Sequence, residues 1–132
     1  MARTQPAPTV SRNATGTRAV QAAAVLSVLA LLWQFVTAGR ILSRSNAVEL
    51  HGGGAIALHV TTFLLVAATV WQARGGGARW PVVVSALVFV ATFVQAELGE
   101  AEVMSAHVPG ALVITAGTIW VTAWAFRGPA RD

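Results

Sequence analysis

From Ala19 onward the chain alternates long apolar runs with short polar breaks. Four runs stand out, at about Ala19 to Ala38, Val48 to Trp71, Trp80 to Glu97 and Ala106 to Phe126. Each approaches the roughly 20 residues that a helix needs to cross a hydrocarbon core about 30 Å thick. An isolated segment in lipid can satisfy its backbone polar groups only as a helix, so the pattern predicts four transmembrane helices. Pro81 and Pro109 fall in first turns, where the missing N–H would have had no intrahelical partner. The breaks at Gly39 to Ala47, Gln72 to Arg79 and Leu98 to Ser105 are short, which forces neighbours antiparallel. The expected fold is therefore all-α, an integral membrane up-down four-helix bundle built from two tandem helical hairpins. Residues 1–18, rich in Pro, Thr, Ser and Arg, are expected to form a disordered N-terminal tail, and residues 127–132 a short C-terminal one.

Composition sharpens this picture. Of the 132 residues 55% are hydrophobic and only 11% charged, too apolar for an ordinary soluble domain. The net charge of +4 comes from nine arginines without a lysine, and these cluster in the polar breaks. Arg3, Arg12, Arg18, Arg74, Arg79, Arg127 and Arg131 fall on one side of the expected bundle, and only Arg40 and Arg44 on the other. The positive-inside rule then predicts cytoplasmic termini, with Trp71, Trp80 and Trp124 at the cytoplasmic interface. It also accounts for the basic balance without a nucleic-acid partner. The Ala, Val and Gly richness is that of a GC-rich genome, and the expected setting is the cell membrane of a bacterium. The absence of cysteine excludes disulfides, thiolate metal sites, Fe–S clusters and thioether-linked haem.

The candidate chemistry lies in the histidines. His51-Gly52-Gly53-Gly54-Ala55 and His107-Val108-Pro109-Gly110-Ala111 share the spacing His-x-x-Gly-Ala, each at the start of an apolar run. Gln34 and Gly39 at the end of the first run are echoed by Gln95 and Gly99 at the end of the third. The Gln-to-His interval is 17 residues in one half and 12 in the other, so a duplicated hairpin would differ in its outer loop. Two such hairpins in the same orientation set His51 and His107 at one depth near the outer face. Polar intramembrane side chains are costly and by default functional. Two imidazoles at equal depth can approach a planar tetrapyrrole from opposite faces as axial ligands of a b-type haem. Gly54 and Gly110, one turn on, would leave room for the macrocycle against the backbone. A nearby carbonyl, Gln34 or Gln95 would accept from the second ring nitrogen.

The alternative is that both histidines bond to water or headgroups and the glycines only pack helices, in a cofactor-free small subunit or scaffold. His59 has no repeat partner, its counterpart being Thr115, and lies roughly 12 Å below His51 and about 80° around the helix. It is expected to be a core histidine hydrogen-bonded to Thr62 or a facing hydroxyl. Glu49 is expected to be a solvated carboxylate, and Glu97, Glu100 and Glu102 to make an acidic outer loop. No catalytic triad is spaced along the chain, and Gly75-Gly76-Gly77 lacks the lysine of a phosphate loop.

At Glu49-Leu50-His51 and His107 the chain resembles half of a haem A synthase, and the resemblance covers about residues 20–126. That family is a duplicated pair of four-helix bundles with histidines near the outer ends of the second and fourth helices of each. Gln34-Phe35-Val36-Thr37-Ala38-Gly39 is similar to a motif of small four-helix bacterial membrane proteins of unknown function. This chain departs from the synthases in a glutamate-to-histidine spacing one residue shorter, no arginine after His51, no outer-loop cysteines and a single bundle. The resemblance thus implies a haem b site and argues against full synthase activity, leaving electron transfer, haem handling or redox sensing. A membrane redox partner or a homo-oligomer is the expected company besides the bilayer itself. A haem-dependent oxidase would need an open substrate site, for which only Glu49 is a pointer.

Overall fold

The structure, a computed structural model, describes residues 12–127. Four helices fill it, α1 (Arg12–Leu42), α2 (Val48–Arg74), α3 (Trp80–Glu100) and α4 (Met104–Phe126), and the described residues form no strand. The helices touch in a ring, α1 on α2, α2 on α3, α3 on α4 and α4 back on α1. This is the expected all-α four-helix bundle, and all four helices are long and apolar enough to cross a membrane. The chain is a multi-pass membrane protein by the length and composition of its helices.

The bundle is apolar outside and partly polar inside, the reverse of a soluble bundle. Leu29, Leu32, Val36, Ile56, Leu87 and Val113 are among the large side chains left exposed. In water such a surface would drive aggregation, whereas lipid tails solvate it without cost. Inside, helices approach through small residues such as Ala23, Ala24, Ala30 and Ala68, capped by two apolar layers. One layer joins Val20, Leu65 and Val121, the other Leu31, Leu58, Val88 and Ile114. Buried hydroxyls return to carbonyls of their own helix, as from Ser27 to Ala23 and from Thr118 to Ile114. Polar links also cross between helices: Thr69 Oγ1 lies 2.9 Å from Ser85 Oγ, and Gln21 Nε2 donates to the Ala125 carbonyl at 2.9 Å. Near the end carrying Arg74, Arg79 and Arg127, Trp80 stacks on Trp120 and meets Trp124 edge-on.

The helix ends depart from the sequence expectation. Helix α1 begins at Arg12, so residues 12–18 are helical rather than part of a disordered tail. There Gly16 lets α1 run close to the end of α2, since a Cβ at Gly16 would lie 3.1 Å from Gln72 Cα. Hydropathy marks only the length immersed in lipid, and a helix packed on a neighbour can continue past it. Residues 1–11 and 128–132, with Arg3 and Arg131, lie outside the described residues. At the opposite end α1 continues to Leu42, α3 to Glu100, and α4 starts at Met104, leaving turns of residues 43–47 and 101–103. Each turn places one non-glycine residue in the left-handed region, Arg44 at φ 59° and Glu102 at φ 56°.

A candidate paired-imidazole site

His51 is the fourth residue of α2 and His107 the fourth of α4, so the two occupy equal positions on diagonally opposite helices. Their side chains meet across the bundle axis with ring centroids 6.4 Å apart and planes inclined at 60°. The repeat expected from the sequence thus becomes a facing pair of half-buried imidazoles.

Hydrogen bonds decide which nitrogen each ring presents. His107 Nδ1 lies 2.9 Å from the backbone carbonyl of Gln95. A carbonyl can only accept, so Nδ1 carries the proton and the lone pair of the neutral ring is at Nε2. His51 Nδ1 lies 2.9 Å from Thr37 Oγ1. The Thr37 hydroxyl also lies 2.9 and 3.1 Å from the carbonyls of Trp33 and Gln34; when its single proton goes to either of them, its oxygen accepts from His51 Nδ1. In that arrangement each ring uses Nδ1 for a hydrogen bond to a neighbouring helix, and no hydrogen bond among the described residues engages either Nε2. This is the usual arrangement of metal-ligating histidines, fixed in tautomer by an acceptor behind them.

Helix α1 fastens the start of α2 in three places. Besides Thr37, Trp33 Nε1 donates to the Leu50 carbonyl and Gln34 Nε2 to the His51 carbonyl, each at 3.1 Å. Gln34 thus grips the His51 backbone and not its ring, contrary to one of the roles expected for it. Thr37, which sequence reasoning missed, takes the ring instead; its signal was a hydroxyl one turn beyond Gln34 at the same end of the bundle. On the other hairpin it is the Gln95 carbonyl, not its amide, that takes the ring.

Gly54 and Gly110 lie where the sequence puts them, yet the space beside them is filled. A Cβ at Gly54 would meet the Trp33 indole and the Gln34 amide, and one at Gly110 would meet the Gln95 amide. In this structure each glycine has a glutamine of the preceding helix against it, with the Trp33 indole nearer still at Gly54. That parallel supports the duplication. The proposed match of Gly39 with Gly99 is not reproduced: nothing lies within 4 Å of Gly39, whereas Gly99 faces His107 Cε1 at 3.0 Å.

His59 does not join the pair. It is half-buried farther along α2, with its ring centroid 4.2 Å from that of Phe93 on α3. Thr62, its expected partner, bonds instead to the Leu58 and His59 carbonyls, and His59 Nε2 is buried without a partner. Glu49 is exposed in the first turn of α2, beside a shallow groove lined by Ala30, Trp33, Gly53 and Ala57. The carboxylates Glu97, Glu100 and Glu102 are likewise exposed.

No group of three or more His, Asp or Glu side chains is gathered to hold a metal ion among the described residues. A bare zinc ion, which takes about four protein ligands in a structural site, is therefore poorly served by two imidazoles. A haem brings four equatorial nitrogens of its own and asks the protein only for axial ligands. With about 2 Å for each nitrogen–metal bond, two rings sharing one metal have centroids about 6 Å apart. The 6.4 Å separation of the His51 and His107 rings is close to that spacing, while the Gln34 and Gln95 amides fill the glycine notches. Compared with known proteins, the chain matches no family model, no curated protein and no solved structure.

Proposed function

We propose that this four-helix membrane protein binds one b-type haem between His51 and His107. The observation that carries the proposal is that two imidazoles on diagonal helices lie with ring centroids 6.4 Å apart, each bonded through Nδ1 to a neighbouring helix. His51 and His107 would hold the iron, and Thr37 and the Gln95 carbonyl would orient their rings. A bound haem supplies one-electron chemistry, which makes electron transfer, haem handling or redox sensing the role. Resemblance to half of a haem A synthase points the same way. The arginine distribution supports cytoplasmic termini, which puts the haem near the outer face of a bacterial cell membrane.

A second reading has its own observation. The Gln34 and Gln95 amides occupy the space beside Gly54 and Gly110, as a cofactor-free subunit or scaffold would have them. Haem binding requires those amides to turn; the scaffold leaves them in place. The absorption spectrum of the purified protein, oxidised and dithionite-reduced after expression with ample haem, separates the readings. A Soret band that sharpens and shifts on reduction is expected, and a flat Soret region supports the scaffold.

A further inference from the structure

The unpartnered nitrogen of His59 points to a second site. His59 lies eleven residues into the 27-residue α2, roughly 16 Å along a helix about 40 Å long, and so near mid-membrane. A hydrogen-bonding group at that depth has no water to turn to, and leaving it unpaired costs several kcal/mol. Yet Nε2 is buried without a partner, and the hydroxyl of Thr62 one turn away bonds to backbone carbonyls.

What surrounds this imidazole is aromatic and open to lipid. Phe93 lies tilted against it with ring centroids 4.2 Å apart, Phe89 meets Phe93 edge-on at 5.1 Å, and Phe63 lies 5.8 Å from Phe89. Phe63 and Phe93 are 55% and 50% exposed, so this α2/α3 seam faces the hydrocarbon rather than the bundle axis. A molecule reaching it must dissolve in lipid. To satisfy the imidazole it must carry a hydrogen-bonding oxygen, and to pack on phenyl rings it does best with a flat face.

We propose that the α2/α3 seam at His59 binds the head ring of a membrane-dissolved quinone or quinol. The ring lies against Phe93 and Phe89 and one ring oxygen bonds to His59 Nε2. Either redox form can be held, because a quinol hydroxyl donates to an unprotonated Nε2 and a quinone carbonyl accepts from a protonated one. Phe93, half exposed, moves aside to admit the ring. The site uses none of the residues assigned to haem, and it gives that reading a redox partner of stated chemistry.

The test uses the full chain with nitrogen-15-labelled histidine in lipid nanodiscs, titrated with decylubiquinone. A saturable shift of the His59 ring signals is expected, and His59→Phe should weaken the affinity for quinone about tenfold, the worth of one hydrogen bond, read from the quinone dependence of nitrogen-15-labelled phenylalanine signals. Phe93→Leu should weaken it severalfold while leaving the histidine intact. The His51→Ala/His107→Ala double variant, which lacks the proposed haem ligands, should bind quinone as the wild type does, so failure of the haem reading leaves this result standing. Unchanged His59 signals at saturating quinone, or equal quinone affinity in the wild type and His59→Phe, would overturn the proposal. The wild-type histidine signals decide the matter even if a variant fails to fold.

Discussion

Thr37 is the residue on which the orientation of His51 depends. Its hydroxyl lies within hydrogen-bond distance of two α1 carbonyls and of His51 Nδ1, and it holds that ring nitrogen on the α1 side. Thr37→Val keeps the shape and removes the acceptor, and haem affinity should fall about 10- to 100-fold, as for other partners of ligating histidines. Measured by haem titration, an unchanged affinity would show that the ring is held without it. His107 has no such weak point, because its acceptor is a backbone carbonyl. The glycines give a second contrast. Gly54→Ala and Gly110→Ala drive a Cβ into the Trp33, Gln34 or Gln95 side chains, and each should destabilise the bundle by about 1–3 kcal/mol. Gly52→Ala and Gly53→Ala meet nothing within 4 Å and should stabilise α2 by up to about 1 kcal/mol. Thermal unfolding in detergent reads both pairs. From the sequence, the histidines and their shared spacing were visible, whereas Thr37 and the filling of the glycine notches were not. Which of several polar groups reaches a ring depends on how α1 rotates against α2, and a pattern of small and apolar residues leaves that angle open.

At the scale of helices, the number and order of elements were legible because a bilayer admits so few alternatives. Their ends were less so. The first turns of α1 lie beyond the apolar run, where Gly16 lets them pack closely on Gln72 of α2. The outer turns were tighter than expected, since helices gain hydrogen bonds by continuing until the chain must reverse. The reversal costs strain: Arg44 and Glu102 both take left-handed backbone, at roughly 1–2 kcal/mol for a residue with a Cβ. Replacing either by glycine should relieve most of that cost and, after the greater freedom of unfolded glycine, raise stability by about 0.5–1 kcal/mol. A lower melting temperature for both variants would show that side-chain contacts of Arg44 and Glu102 outweigh the strain.

For the whole molecule, the layout is a ring of four helices whose diagonal members carry the paired histidines at one end and whose interior holds buried hydroxyls such as Ser27, Thr62, Ser85 and Thr118. The large apolar residues face lipid and add little to specificity, so the register of the helices rests on small residues and on bonds such as Gln21 to Ala125 and Thr69 to Ser85. The arginines predict the orientation of this unit. Reporter fusions at either terminus should be active only in the cytoplasm, and periplasmic activity at both would invert the assignment and put the imidazole pair on the inner side. The most direct measurement of the central claim is the haem content per chain of purified wild-type protein beside His51→Ala, His107→Ala and His59→Ala, read from the reduced absorption spectrum. The account predicts about one haem per chain in the wild type and in His59→Ala, and loss of the bis-imidazole spectrum in each of the other two. Haem retained with an unchanged spectrum in His51→Ala or His107→Ala, or no haem in the wild type, would contradict it.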